Sequence, residues 1–193
     1  IALTGCTNNE VVDIPQSRAI NFSNAFVNNT TRADVTNADF KQFWVYGDYQ
    51  NDALWVDVFN NVKVSGASVG SSATWTPEET AYWQVNKTYN FGAYADGTSQ
   101  LTTGILYEPA SKTLTFSDYS AGANDLIAAT SSDVSWDGSV DPAKVQLSFK
   151  HMLSKVKFTF KTDAVETYTM KVSGLKISQA IQTATGTMVN NVV

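Results

Sequence analysis

The residues from 145 to 161 read VQLSFKHMLSKVKFTFK, and apolar and polar side chains alternate through both halves of this stretch. The apolar members of the pattern are Val145, Leu147, Phe149, Val156, Phe158 and Phe160. A period of two is typical of a strand that lays one face against a core. The stretch therefore predicts two neighbouring strands, the second over Ser154 to Lys161, joined by a turn at His151-Met152-Leu153.

Further strands are predicted throughout the chain, at Phe43–Tyr49, Leu54–Phe59, Tyr82–Val85, Tyr89–Tyr94, Ile105–Tyr107, Leu114–Phe116, Leu126–Ala128, Tyr168–Val172 and Leu175–Ile177. Turn dipeptides such as Asp96-Gly97 and Asp137-Gly138 separate them. So many short strands predict an all-β protein, either a sandwich or a barrel.

A domain boundary is predicted between Lys161 and Glu166, where one strand pattern ends and another begins at Thr167. The chain then stops in the apolar run Val192-Val193. We therefore expect a first β domain and the beginning of a second, truncated one.

Composition excludes several classes of function. The 193 residues include 13 Lys and Arg against 18 Asp and Glu, which gives a net charge of −5. A chain of this charge lacks the positive field that holds a polyanion, so no nucleic-acid partner is expected. One cysteine and one histidine leave no disulfide framework and no multi-Cys or two-His metal motif.

The candidate catalytic side chains have simpler structural interpretations. His151 is accompanied by no nucleophile elbow and no second metal ligand, so we interpret it as a framework residue. The carboxylate pairs Glu78/Glu79 and Asp133/Asp137 lie in polar loops, where solvated carboxylates are the usual case and a glycosidase acid–base pair is not. We predict no enzymatic activity, no metal and no cofactor.

The first residues predict a lipid anchor. Leu3-Thr4-Gly5-Cys6 is similar to a bacterial lipobox, in which small residues precede the cysteine that receives the lipid. Residues 1–6 are then the remnant of a signal peptide with Cys6 as the lipidation site. Acyl chains such as palmitate on Cys6 would hold the protein on a membrane without a transmembrane helix. The alternative is a lone buried cysteine near the terminus.

Residues 7–32 predict a polar tether followed by a strand-like segment. Ile20 and Phe22 form a strand-like apolar set, and a polar Asn/Thr-rich stretch follows them. Arg32 is a solitary basic residue in that stretch, so the bond to Ala33 is a site where a trypsin-like protease would cut easily. The alternative is an ordinary surface arginine in a loop.

The tryptophans raise a second hypothesis, in which exposed rings stack on sugars. Trp44 and Trp83 lie in strand patterns and are expected in the core. Trp75 and Trp136 lie in polar surroundings, so we expect them to be exposed and name them as candidate glycan contacts.

Several of these segments, in this order, resemble the fimbrillin-like family of type V pilins and associated lipoproteins. The segments are Leu3–Cys6, Ala19–Phe22, Thr31–Ala33, Phe43–Gly47, Asp125–Ala128 and, most specifically, Leu147–Phe158. The resemblance implies an N-terminal β-sandwich of the fimbrillin type over residues 33–161 and the start of a second β-sandwich over 162–193.

The resemblance also implies a function. Family members are exported to the outer membrane as cell-surface lipoproteins and are cut after an arginine, here between Arg32 and Ala33. The cut removes the strand with Ile20 and Phe22, and a strand from another fimbrial subunit replaces it, which builds a fimbria (pilus) that mediates cell adhesion to a host or bacterial surface receptor. The alternative is a surface glycan-binding lipoprotein that does not polymerise.

Overall fold

Within the described residues, the chain is built from β-strands. The computed structural model describes residues 18–27, 40–66, 74–122, 124–154, 158–161, 171–179, 181 and 183–193. The strands are β1 (Phe22–Val27), β2 (Gln42–Asn51), β3 (Leu54–Gly66), β4 (Trp75–Pro77), β5 (Thr88–Asp96), β6 (Ile105–Glu108), β7 (Thr113–Ser120), β8 (Leu126–Ser135), β9 (Val145–His151) and β10 (Thr183–Val189). The prediction of an all-β protein is confirmed.

Seven strands close into a barrel in the order β1-β4-β3-β2-β5-β8-β9. The strand pattern allowed a sandwich or a barrel, and the family resemblance implied a sandwich; the sheet instead closes as a barrel and is not clearly a sandwich. The reason is that β1 pairs with β4 on one side and runs parallel to β9 on the other, so it joins the two ends of the sheet. A sheet closed in this way has no free edge strands.

A second sheet of three strands, in the order β10-β7-β6, lies against the outside of the barrel. Its inner face contributes Leu114, Phe116 and Met188, which pack against Trp44 and other outward side chains of the barrel. β10 belongs to the segment that the sequence assigns to a second domain, yet it pairs with β7 along its length. The domain boundary near residue 161 stays a prediction, although residues 183–189 join the first unit through this pairing.

The inside of the barrel holds the main core. Because side chains alternate along a strand, each barrel strand sends every second residue inward. On β2 these are Phe43 and Val45, and on β9 they are Val145, Leu147 and Phe149, all of which are buried. The alternation predicted for the first half of the 145–161 stretch is therefore confirmed.

The second half of that stretch differs from the prediction. β9 ends at His151, and residues 158–161 form no strand. Phe158 and Phe160 are 51% and 57% exposed, so they do not line a dry face. Alternation shows that one face is apolar, but it does not show that any element packs on that face.

Two other predicted strands also differ. Tyr82 makes only an isolated bridge with Ala19, so Tyr82–Val85 is an irregular connection. Leu175 and Ile177 lie in an irregular, exposed stretch rather than in a strand.

Phe22 is the side chain whose truncation should cost most in β1. We predict that Phe22→Ala lowers the free energy of unfolding by about 3–5 kcal/mol, because it empties a fully buried aromatic site. Chemical denaturation followed by tryptophan fluorescence measures this. Leu54→Ala is the control, because Leu54 is 71% exposed and its loss should change stability by no more than about 0.5 kcal/mol. Equal effects of the two substitutions would contradict this account of the core.

Candidate functional site

The seam that β1 fills, between β4 and β9, is the candidate functional site. Phe22 lies opposite Trp75 of β4 and opposite Val145 of β9. Just before the strand, the Val145 amide donates to the Asn21 carbonyl at 2.8 Å, and the Ile20 amide donates to the Ala81 carbonyl at 2.8 Å. The N-terminal segment is thus bonded to both walls of the seam.

Buried side chains anchor the segment that contains β1. The Phe22 ring lies 5.7 Å from Phe43, 6.0 Å from Phe59 and 5.8 Å from Phe91, measured between ring centroids. Ile20 and Phe22 are both buried, and burying each such side chain contributes about 2–3 kcal/mol. Phe22 lies in β1 and Ile20 lies two residues before it. That these two residues belong to a removable strand stays a prediction.

The backbone pairing of β1 is uneven. Toward β4 its ladder has one residue pair, and toward β9 it has four pairs with an irregularity between Ser23 and Phe26. Parallel pairing is also slightly less stable per residue than antiparallel pairing. β1 is therefore a short strand with weak pairing on one side, and the buried Phe22 side chain helps to hold it in the seam.

The sequence-predicted maturation sites lie outside the described residues. These are Cys6, Arg32 and Ala33. The structure does describe Arg18, which lies just before β1. Its guanidinium lies 5.6 Å from the centre of the Trp136 ring, and its carbonyl accepts a hydrogen bond of 3.0 Å from the Trp83 amide.

The expectation that Trp75 and Trp136 are exposed is wrong. Trp75 is 0% exposed, because it lies in β4 between β1 and β3 and its ring covers Gly66 so closely that a Cβ there would overlap it. Trp136 is 8% exposed, with its Nε1 donating to the Val140 carbonyl at 2.5 Å. Neither ring offers an open face for a sugar.

His151 makes a contact that the sequence did not reveal. Its Nδ1 lies 2.5 Å from Oδ2 of Asp125, and both side chains are largely buried. Asp125 comes directly before β8 and His151 ends β9, so the contact ties these strands together where they are paired at Ile127 and His151. The interpretation of His151 as a framework residue stays a prediction that this contact supports.

A second buried carboxyl lies on the outer side of the barrel. Asp48 of β2 is opposite Asp57 of β3 and is buried. Burial and the hydrogen bond and charge of Asp57 raise the pKa of Asp48 to about 7. Burial, with a smaller contribution from Asp48, also raises the pKa of Tyr107 above its ordinary value. A shared proton between two facing carboxyls is the arrangement that this geometry favours.

Among the described residues, no group of three or more His, Cys, Asp or Glu side chains is placed to hold a metal ion. No helix in that part of the chain is long and apolar enough to cross a membrane.

Comparison with known proteins gives one match. The profile of a family described as fimbrillin-like matches residues 31–192 of the chain. No curated protein and no solved structure matches significantly. The matched region covers every strand described here except β1, which lies ahead of its first residue.

Replacing Asp48 should change how stability depends on pH. A carboxyl whose pKa rises from 3.8 to about 7 on folding binds its proton more tightly in the native state, so stability falls as pH rises through this interval. We predict that Asp48→Asn is more stable than the wild type above pH 7, by about 1–3 kcal/mol. The advantage should shrink toward pH 4. Urea unfolding across this pH range measures it.

Asp141→Asn is the matched control, because Asp141 is exposed in a loop. The account predicts that the wild type loses stability relative to Asp48→Asn as the pH rises from 4 to 7. If the difference between the two proteins stays constant over this range, Asp48 and Asp57 do not share a proton.

Proposed function

The chain belongs to the fimbrillin-like family, and from this premise we propose that it is a fimbrial subunit that joins its neighbours by strand exchange at the β1 seam. It is exported as a lipoprotein with its lipid on Cys6 and is held at the outer membrane. A protease then cuts between Arg32 and Ala33, which frees β1, and a strand from another subunit fills the seam. The resulting fimbria mediates adhesion at the cell surface.

The position of β1 in the chain supports its removal. It precedes every other described strand, so one cut between Val27 and Phe40 separates it and breaks none of the other strands that the structure describes. Arg32 and Ala33 lie in that interval of the sequence. The strand can leave after such a cut because its ladder toward β4 is a single pair.

The energetics of an empty seam supports replacement by another strand. Loss of β1 takes Phe22 out of a site lined by Phe43, Phe59 and Phe91. It also removes the acceptors of the Val145 and Trp83 amides. An incoming strand would restore about 1 kcal/mol per hydrogen bond and about 1.5–3 kcal/mol per buried side chain. Over a whole strand these sum to a junction that dissociates very slowly.

The alternative is a glycan-binding lipoprotein that does not polymerise. The two tryptophans expected to contact the glycan cannot do so. Trp75 and Trp136 are buried, so a glycan would have to bind elsewhere on the surface.

Limited proteolysis tests the proposal. Arg18 and Arg32 are the two arginines of the chain, so an Arg-specific protease has two sites, and intact mass tells them apart. We expect rapid cleavage at Arg32 and slow cleavage at Arg18, whose backbone and side chain are both bound. Once its own N-terminal fragment has been removed, the cleaved protein should take up a labelled peptide of residues 19–32 at about one per chain, and Arg32→Ala treated in the same way should take up none.

Two controls make the result specific. Arg18→Ala should be cleaved at Arg32 and should bind the peptide as the wild type does. A peptide carrying Ile20→Ala and Phe22→Ala should bind far more weakly, because it lacks the two buried anchors. Cleavage at Arg32 without peptide uptake, or equal uptake of both peptides, would rule out strand exchange at this seam.

A further inference from the structure

A polar pocket opens on the outer side of the barrel. It measures about 510 Å³, and its lining includes Gln42 and Trp44 of β2, Asn61 of β3, Glu79, and Thr98 and Gln100 of the loop after β5. This volume lies within the range of small-ligand sites. We infer that the pocket binds a saccharide unit through its hydroxyl groups.

A β-bulge builds the pocket wall. The β2–β3 ladder shifts register between Val45 and Gly47, and the bulged strand β3 carries Asn61 in the left-handed region at φ 56°. A bulge re-aims the side chain it carries, and left-handed non-glycine residues are concentrated at binding sites. Here the bulge directs the Asn61 amide across to Tyr94 and to the Leu101 carbonyl.

Hydrogen bonds hold the two sides of the pocket together. Asn61 Nδ2 donates to the Leu101 carbonyl at 2.8 Å, and Gln100 Nε2 donates to the Asn61 carbonyl at 2.9 Å. Gln42 Nε2 donates to the Thr98 carbonyl at 3.3 Å. Below them Trp44 stacks on Tyr94 at 5.7 Å, and the Tyr94 hydroxyl donates to Asn61 Oδ1 at 2.8 Å. The walls are therefore formed before any ligand arrives, which lowers the entropic cost of binding.

The remaining polar atoms favour a ligand rich in hydroxyl donors. Gln42 and Gln100 each use the amide nitrogen within the protein, and neither Oε1 has a partner among the described residues. The Glu79 carboxylate also has no partner there, whereas the neighbouring Glu78 pairs with Lys63 at 3.0 Å. Three acceptors thus face the pocket, and sugar hydroxyls can donate to all of them.

Charge and burial argue against other ligands. The Lys63 ammonium is already paired with Glu78, so the pocket has no free cation among its described residues to hold a phosphate or sulfate. The pocket lining consists mainly of amide, hydroxyl and carboxylate groups, and its one aromatic ring, that of Trp44, is nearly buried. An apolar ligand would therefore make few apolar contacts there. A sugar, in contrast, can satisfy the acceptors through its hydroxyl groups without needing an open aromatic face.

Saturation-transfer NMR tests the inference with five separate probes: glucose, galactose, mannose, N-acetylglucosamine and spermidine. We expect at least one of the four sugars to bind, and spermidine not to compete with it. Glu79→Gln and Gln100→Ala should each weaken that sugar by about tenfold, the effect of losing one hydrogen bond to a charged or fixed acceptor. Glu108→Gln and Gln146→Ala are matched controls at exposed positions outside the pocket and should bind as the wild type does.

Three results would overturn the inference: no binding of any sugar at millimolar concentration, equal affinity of the pocket and control variants, or binding of spermidine alone through Glu79. The test is made on the uncut chain, so its outcome is independent of cleavage at Arg32 and of strand exchange.

Discussion

The contact of Phe22 with rings from β2, β3 and β5 is the interaction on which the closed barrel depends. Its ring packs against Phe43, Phe59 and Phe91, each from a different strand. This one side chain therefore connects β1, across the barrel interior, to β2, β3 and β5. Burial of this ring adds to a ladder that has only a single pair toward β4. Under the proposed strand exchange, a strand with similar anchors from another molecule would replace it.

The barrel separates two surfaces with different chemistry. Its interior is an apolar core, which the proposed loss of β1 would open at the seam. Its exterior is partly covered by the β10-β7-β6 sheet through Met188 and its neighbours, and β10 is followed by a turn at Asn191 that bonds to Thr130 of β8 and Lys150 of β9. The polar pocket beside β2 and β3 lies outside this cover.

Local pattern was sufficient to predict most strands but not how the sheet closes. β2, β5 and β9 follow from alternation and turn residues, because those features act over a few residues. The parallel pairing of β1 with β9 joins residues more than a hundred positions apart, and no local signal records it. The same limit explains why Phe158 and Phe160 were wrongly expected to line a buried face. They do alternate with polar residues, but no described element covers them.

The candidate site was predicted in part for a related reason. Ile20 and Phe22 were recognisable as a short apolar set, and burial confirms them. Trp75 and Trp136 were misjudged because polar neighbours in sequence do not decide burial, which depends here on Gly66 and the Val140 carbonyl. The Asp48–Asp57 pair and the Asn61 pocket depend on strand register, so they become visible only when the strands are placed side by side.

Hydrogen exchange of the Trp83 and Val145 amides, before and after removal of the cleaved N-terminal fragment, tests the central claim most directly. Both amides donate to carbonyls of the N-terminal segment, those of Arg18 and Asn21. The account predicts that both lose protection, while the Met152 amide, which donates to the Leu126 carbonyl, and the amides of the β2–β3 ladder keep theirs. Unchanged protection of Trp83 and Val145, or loss of protection throughout the barrel, would contradict a fold closed by one replaceable strand.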